Sequence, residues 1–193
     1  MEKGWCVWIT GLPGSGKSTV AELLMERLHA LGINAQVVSI DMIRQYATPQ
    51  PTYTEEERDV VYGALVFTAK TLTENGVNVV IDATGNRRRY RDQARHAIPH
   101  FMEAYVECPL EICMQREARR KNRHLAPARI YGRAEEGRSS TVPGVGVPYE
   151  EPPNPEVKID SSMLSAEEAS EKILTLIRQR ETHPSRRHSR VRL

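Results

Sequence analysis

The chain has 193 residues, 39% hydrophobic and 27% charged, with a formal net charge of +2. That length and balance suit one domain with its own core. No run approaches the roughly 18 consecutive apolar residues a membrane helix needs, and Cys6, Cys108 and Cys113 match no zinc-ligand spacing. The charge is uneven: the last eleven residues, HPSRRHSRVRL, hold four arginines and no acid, and the rest of the chain has 23 basic against 25 acidic side chains. A slightly acidic body argues against a specific nucleic-acid partner. The tail, 182–193, reads as a basic, disordered end after a domain of residues 1–181.

Residues 5–10, WCVWIT, form an apolar run that predicts a buried strand. No signal-type segment precedes it, so a cytoplasmic location is expected. Residues 17–31 carry Val20, Leu23, Leu24, Leu28 and Leu31 at helical spacing, and Gly32 ends that helix. A second strand, 35–40, leads to Asp41. The prolines of ATPQPTYT (47–54) predict a loop, and Thr54 with Glu57 reads as a capping box opening a helix to about residue 74. A third strand (77–83), a charged helix (87–97) and a fourth strand (101–108) follow. Pro109 suits a helix first turn, residues 125–148 read as a flap, and a fifth strand (156–162) precedes a helix of about 166–180, capped by Ser165 and Glu168. Cys6 and Cys108 fall in or beside strands and Cys113 opens a helix. Alternating strands and helices predict an α/β fold: a parallel five-stranded sheet with helices on both faces, and ligands beyond the carboxyl ends of the strands.

The sharpest feature is GLPGSGKS, Gly11 to Ser18, which satisfies G-x-x-x-x-G-K-[ST] between an apolar strand and an amphipathic helix. This is the signature of the P-loop nucleoside triphosphate hydrolase fold. Glycines let the backbone wrap phosphates, and successive N–H groups form an anion nest. The cradle for ATP is therefore Gly11, Leu12, Pro13, Gly14, Ser15, Gly16, Lys17, Ser18 and Thr19. Lys17 is expected to reach the transferred phosphate and Ser18 to offer its hydroxyl to Mg2+.

The remaining candidates face an acceptor. Asp41 ends the second strand and suits a base or orienting group for the attacking hydroxyl, or a magnesium ligand through water; the other reading is a helix cap. Asp82 ends the third strand and also suits magnesium, or the acceptor. Arg44, three residues beyond Asp41, and Arg58, early in the long helix, suit an anionic acceptor. An arginine-rich lid of about 116–148 holds Arg116, Arg119, Arg120, Arg123, Arg129, Arg133 and Arg138. Guanidinium groups there can clamp developing charge, with Arg116 the first choice as a catalytic group, and a closing lid excludes water. The reading is a kinase for a small phosphorylated or nucleotide-like acceptor. A sugar or polynucleotide kinase and a nucleotide switch stay as alternatives, although no guanine-reading N-K-x-D motif is present. A homodimer stays open.

Over most of residues 4–178 the chain resembles the adenylylsulfate kinases. SIDMIR (39–44), YTEEERD (53–59), PLEIC…R (109–116) and RAEEG…GVGVPYEEPPNPEVKID (133–160) carry the resemblance. It implies γ-phosphate transfer from ATP to the 3′-hydroxyl of adenosine 5′-phosphosulfate. It sets Asp41 and Arg44 on the family's D-x-x-R, and Tyr53 and Arg58 on its F-S-x-x-D-R. Tyr53 suits stacking on the acceptor, and Arg138 suits replacing family acceptor contacts from a new position in the lid. The departures cluster on the same side: Ser39 replaces an Asp and Val61 an Asn, Ser140 replaces a lysine and Val142 a stacking phenylalanine, and DATGNRRRYRD (82–92) stands where the family has I-S-P-[YF]-R. They predict weaker use of adenylylsulfate than the overall resemblance implies.

Overall fold

The computed structural model describes residues 2–120 and 129–182; Arg123 and residues 183–193, including nearly all of the basic tail, lie outside the described residues. The elements are β1 (Cys6–Thr10), α1 (Lys17–Ala30), β2 (Ala35–Ser39), α2 (Ile40–Ala47), α3 (Glu55–Glu74), β3 (Asn78–Asp82), α4 (Arg88–Ala97), β4 (Phe101–Glu107), α5 (Leu110–Arg119), α6 (Ile130–Glu135), β5 (Val157–Asp160) and α7 (Ala166–Thr182). All five strands run parallel in the order β2-β3-β1-β4-β5.

Alternation along β1 sends Val7 and Ile9 to one face and Cys6 and Trp8 to the other. On the first face they meet Leu24 and Leu28 of α1 and Ile173 and Ile177 of α7. On the second, Tyr62, Leu65 and Ala69 of α3 and Ala94 of α4 cover Trp8, Val79 and Ile81. Burying each valine, leucine or isoleucine among them stabilises the fold by roughly 1.5–3 kcal/mol. The sheet is thus a middle layer with both faces closed, as the near-continuous apolar strands require. Trp8 stacks on Tyr62 at 6.1 Å and Tyr62 on Tyr90 at 4.2 Å between centroids. The Trp8 indole donates to Ala83 O at 2.9 Å.

All three cysteines are buried and free. The Ser165–Glu168 capping box forms in both directions. The one at Thr54 forms by half: Glu57 N donates to Thr54 Oγ1, but the Glu57 carboxylate turns instead to Thr52, Tyr53 and Arg44. The region read as a flap contains the short helix α6, whose Tyr131 is 2% exposed. Among the described residues, no helix is long and apolar enough to cross a membrane.

A buried ionic network fixes the carboxyl-end loops. Arg91, 1% exposed, donates from Nε to Glu103 Oε1 at 2.6 Å, from Nη1 to Gly85 O and from Nη2 to Glu150 O at 2.5 Å. Arg95 joins Glu103 and Glu156. Asn86, 1% exposed, donates to Pro148 O and accepts from Arg58, while its carbonyl accepts Glu150 N. The DATGN segment after β3 is therefore tied to the P-Y-E segment after the lid.

Candidate active site

The motif glycines do what their spacing requires. Gly14 (φ 81°) and Gly16 (φ 99°) adopt the left-handed region. A Cβ on Gly14 would sit 2.4 Å from Cys113 O of α5, whereas one on Gly16 meets nothing within 4 Å. Gly14→Ala is therefore expected to cost at least ~1 kcal/mol more unfolding free energy than Gly16→Ala, because the backbone of α5 must also move. Gly16→Ala carries only the left-handed strain, ~1–2 kcal/mol. Urea unfolding of the two variants checks the order. Equal losses would show that α5 yields freely.

Gly16 is the N-cap of α1 and supplies no side-chain acceptor, so the first-turn amides remain directed at the loop. Lys17 is 7% exposed and donates from Nζ to Leu12 O at 2.9 Å. Burial pushes its ammonium below the ordinary lysine pKa, and the carboxylates Asp82 and then Asp41 oppose that shift. Ser15 Oγ is buried with no hydrogen-bond partner among the described residues. A phosphate oxygen is the kind of acceptor that satisfies such a hydroxyl. Ser18 is half-buried and Thr19 exposed in the first helical turn.

The sheet brings the two carboxylates together. Ser39 of β2 is in register with Asp82 of β3, and Asp41 follows two residues later in α2. The helix cap is Ser39, whose Oγ accepts Asp41 N at 3.2 Å, so the capping alternative for Asp41 does not hold. Burial, and then the charge of Asp82, raise the Asp41 carboxyl above the usual aspartate range against the pull of Lys17 and Arg44.

Beyond Asp41 lies a small pocket of about 120 Å³, lined by Asp41, Arg44, Tyr53 and the prolines Pro49 and Pro51. Arg44 is 7% exposed, pairs with Glu57 through Nη1, and sets its guanidinium 4.7 Å from the Tyr53 ring centroid. Arg58 is also in this region, but all three of its nitrogens are engaged: Nε with Tyr53 O, Nη1 with Asn86 Oδ1 and Nη2 with Thr141 O. In this geometry it braces the segment that follows α6. Val61 is fully buried, and Val142 packs with Cys108, Cys113 and Tyr131.

The lid packs onto the phosphate loop through Tyr131, whose hydroxyl donates to Pro13 O at 2.8 Å. Arg116 donates to Ser161 Oγ at 3.1 Å and Ser161 O at 2.7 Å, and contacts Cys108 Sγ. It is thus held at the loop after β5. Arg138 is exposed and pairs with Glu136. A larger cleft of about 680 Å³ opens between Leu12, Leu110, Tyr105 and Tyr149, and neither Lys17 nor Asp41 lines it. The structure therefore brings together Lys17, Asp41, Asp82 and Arg44, while Arg116 is engaged by Ser161 and Arg138 by Glu136. Sequence reasoning missed Asn86 and the second use of Glu57. The only signal for Glu57 was its place in a capping box.

A phosphate nest at the end of the central strand, with a buried lysine and two carboxylates beyond it, defines an ATP-dependent phosphotransferase that uses an alcohol group as acceptor. A family model described as adenylylsulphate kinase matches residues 3–160, and the chain belongs to that family. It is 34% identical over 172 residues to a probable adenylyl-sulfate kinase of Pyrococcus abyssi, covering 89% of this chain and 94% of that protein. Identity to an adenylyl-sulfate kinase of Picosynechococcus sp. is also 34%, over 89% of this chain and 92% of the relative. The structure of the Mycobacterium tuberculosis APS kinase CysC in complex with AMPPNP and APS superposes with a TM-score of 0.81 at 28% identity, covering 92% of this chain and 99% of that one.

Proposed function

We propose that this enzyme transfers the γ-phosphate of ATP to the 3′-hydroxyl of adenosine 5′-phosphosulfate. The observation that carries the reading is the juxtaposition of Lys17 with Asp41, and of Asp41 with a pocket holding Arg44 and Tyr53. Lys17 neutralises charge on the transferred phosphate, and the amides at the start of α1 hold its neighbours. Asp41 accepts or orients the proton of the attacking hydroxyl. Arg44 meets an anionic group of the acceptor, and the Tyr53 ring offers a face to its base. Arg58 braces this wall, Arg116 holds the loop after β5, and Arg138 lies on the exposed part of the lid.

Mg2+ fits the donor set: the Ser18 hydroxyl and the Asp41 and Asp82 carboxylates are hard oxygen ligands, and one or two carboxylates with phosphate oxygens and water suffice for this ion. When bound, it supplies charge neutralisation between the phosphates. Such a reaction belongs with the cell's ATP, which supports a cytoplasmic location.

The test is ATP consumption with Mg2+ and a panel of adenosine 5′-phosphosulfate, nucleoside monophosphates and sugar phosphates. Adenosine 5′-phosphosulfate is expected to give the highest kcat/KM. A panel member exceeding it by tenfold or more would overturn the reading.

A further inference from the structure

The arginine of the acceptor pocket already holds an anion. Arg44 lines the pocket from α2, and Glu57 of α3 meets its guanidinium from outside the pocket lining, with side chains 9% and 10% exposed. One Glu57 oxygen holds Arg44. The other accepts Thr52 N, Thr52 Oγ1 at 2.6 Å and Tyr53 N at 3.2 Å. That second oxygen pins a residue in an uncommon conformation: Tyr53 has φ 58°, the left-handed region that side chains with a Cβ rarely occupy. Pinned there, the Tyr53 ring covers the Arg44 guanidinium. The pocket that Arg44 and Tyr53 line is small, about 120 Å³. Sites that enclose a drug-sized molecule measure roughly 300–1,000 Å³.

We propose that Glu57 is a specificity-determining and positioning residue: it occupies the guanidinium of Arg44 beside the small pocket, and an anionic acceptor must compete with it for that group. This deepens the proposed function and rests on its acceptor. A buried ion pair that loses one partner leaves a charge with a strong demand for another. An acceptor phosphosulfate can meet that demand once Glu57 is displaced, and displacement also releases Thr52 and Tyr53, so the pocket widens as the anion enters. An acceptor without an anion has nothing to exchange for Glu57 and leaves the pocket small.

The variant that separates these roles is Glu57→Gln. Its amide carbonyl still accepts from Thr52 and Tyr53, but its uncharged NH2 no longer holds Arg44. The experiment compares wild type and variant by calorimetric titration with adenosine 5′-phosphosulfate and with adenosine, alongside kcat and KM at saturating ATP. The expected result is that Kd and KM for adenosine 5′-phosphosulfate fall by about tenfold, the size of one charge-assisted hydrogen bond. Kd for adenosine is expected to hold steady, so the preference for the anionic ligand widens. General damage to the pocket would weaken both ligands together. An unchanged or narrowed preference overturns the proposal. Wild type that neither binds nor turns over adenosine 5′-phosphosulfate, beside a variant that binds it, supports the role of Glu57 while overturning the proposed substrate; no binding by either protein overturns both. Glu57→Asp withdraws the carboxylate by one methylene and is expected to widen the preference by less. It serves as the second variant should Glu57→Gln fail to fold.

Discussion

Lys17→Ala is expected to lower kcat by at least ~10²-fold, the loss typical of removing one preorganised donor from developing charge. Lys17 is buried, and its only hydrogen bond among those described is to the loop carbonyl of Leu12. Its charge therefore does little for the resting fold. The lowered pKa says the same: the protonated form is disfavoured in the folded protein, so holding it there costs stability at neutral pH. Removing the ammonium relieves that cost but leaves Asp41 and Asp82 without their shared counter-charge. The two effects oppose each other, and the net change is expected within about 1 kcal/mol, or roughly 2–4 °C in Tm for a chain of this size. Turnover with saturating acceptor and a thermal melt, run on the same preparation, check both halves. Near-normal turnover would remove Lys17 from the chemistry, and a collapsed melt would make it structural.

Asp41→Asn should cost ~10²–10⁴-fold in kcat, the range for a positioned general base, while nucleotide affinity changes little. A base must be ionised to work. Burial and Asp82 raise the Asp41 pKa, so the acidic limb of kcat/KM should lie above the usual aspartate range in wild type and vanish in the variant. Stability moves the other way. A carboxyl whose folded pKa is raised adds stability below its unfolded pKa and loses it as pH rises through the folded one. At neutral pH the ionised Asp41 therefore works against the fold, and Asp41→Asn is expected to be at least as stable as wild type. Retained turnover with an intact acidic limb would assign the limb, and the base, to another group.

The parts legible in the sequence are those set by local covalent geometry. Gly11–Ser18 declares itself because only glycine supplies the left-handed turns at that spacing. The order of strands and helices follows from runs such as WCVWIT and NVVID, whose β-branched and aromatic residues have no polar alternation to expose. What stayed hidden depends on partners distant in the chain. Arg58 reads as a free cation near a cleft, yet Asn86 and Thr141 take its guanidinium from 28 and 83 residues away. Arg116 reads as a lid clamp, yet Ser161 claims it from 45 residues away. Glu57 satisfies a capping pattern, and nothing local shows that Arg44, on the preceding helix, outbids the helix terminus for its carboxylate. The helix α6 was obscured because its turn, IYGRAE, is short and follows an arginine-rich stretch without apolar periodicity.

The stacked rings behind β3 also equip the protein with an optical probe. The chain has two tryptophans, and their surroundings differ. Trp5 donates to Glu181 near the end of α7, remote from the carboxyl ends of the strands. Trp8 is fully buried, lies against Tyr62, and is anchored to the carbonyl of Ala83, the residue after Asp82. Tyr62 in turn accepts the amide of Gly85 at 2.9 Å. Any shift of the Asp82–Asn86 backbone must therefore change what the Trp8 indole touches. In a Trp5→Phe background the emission comes from that one ring, so conformational change on the acceptor wall can be followed in real time without a label.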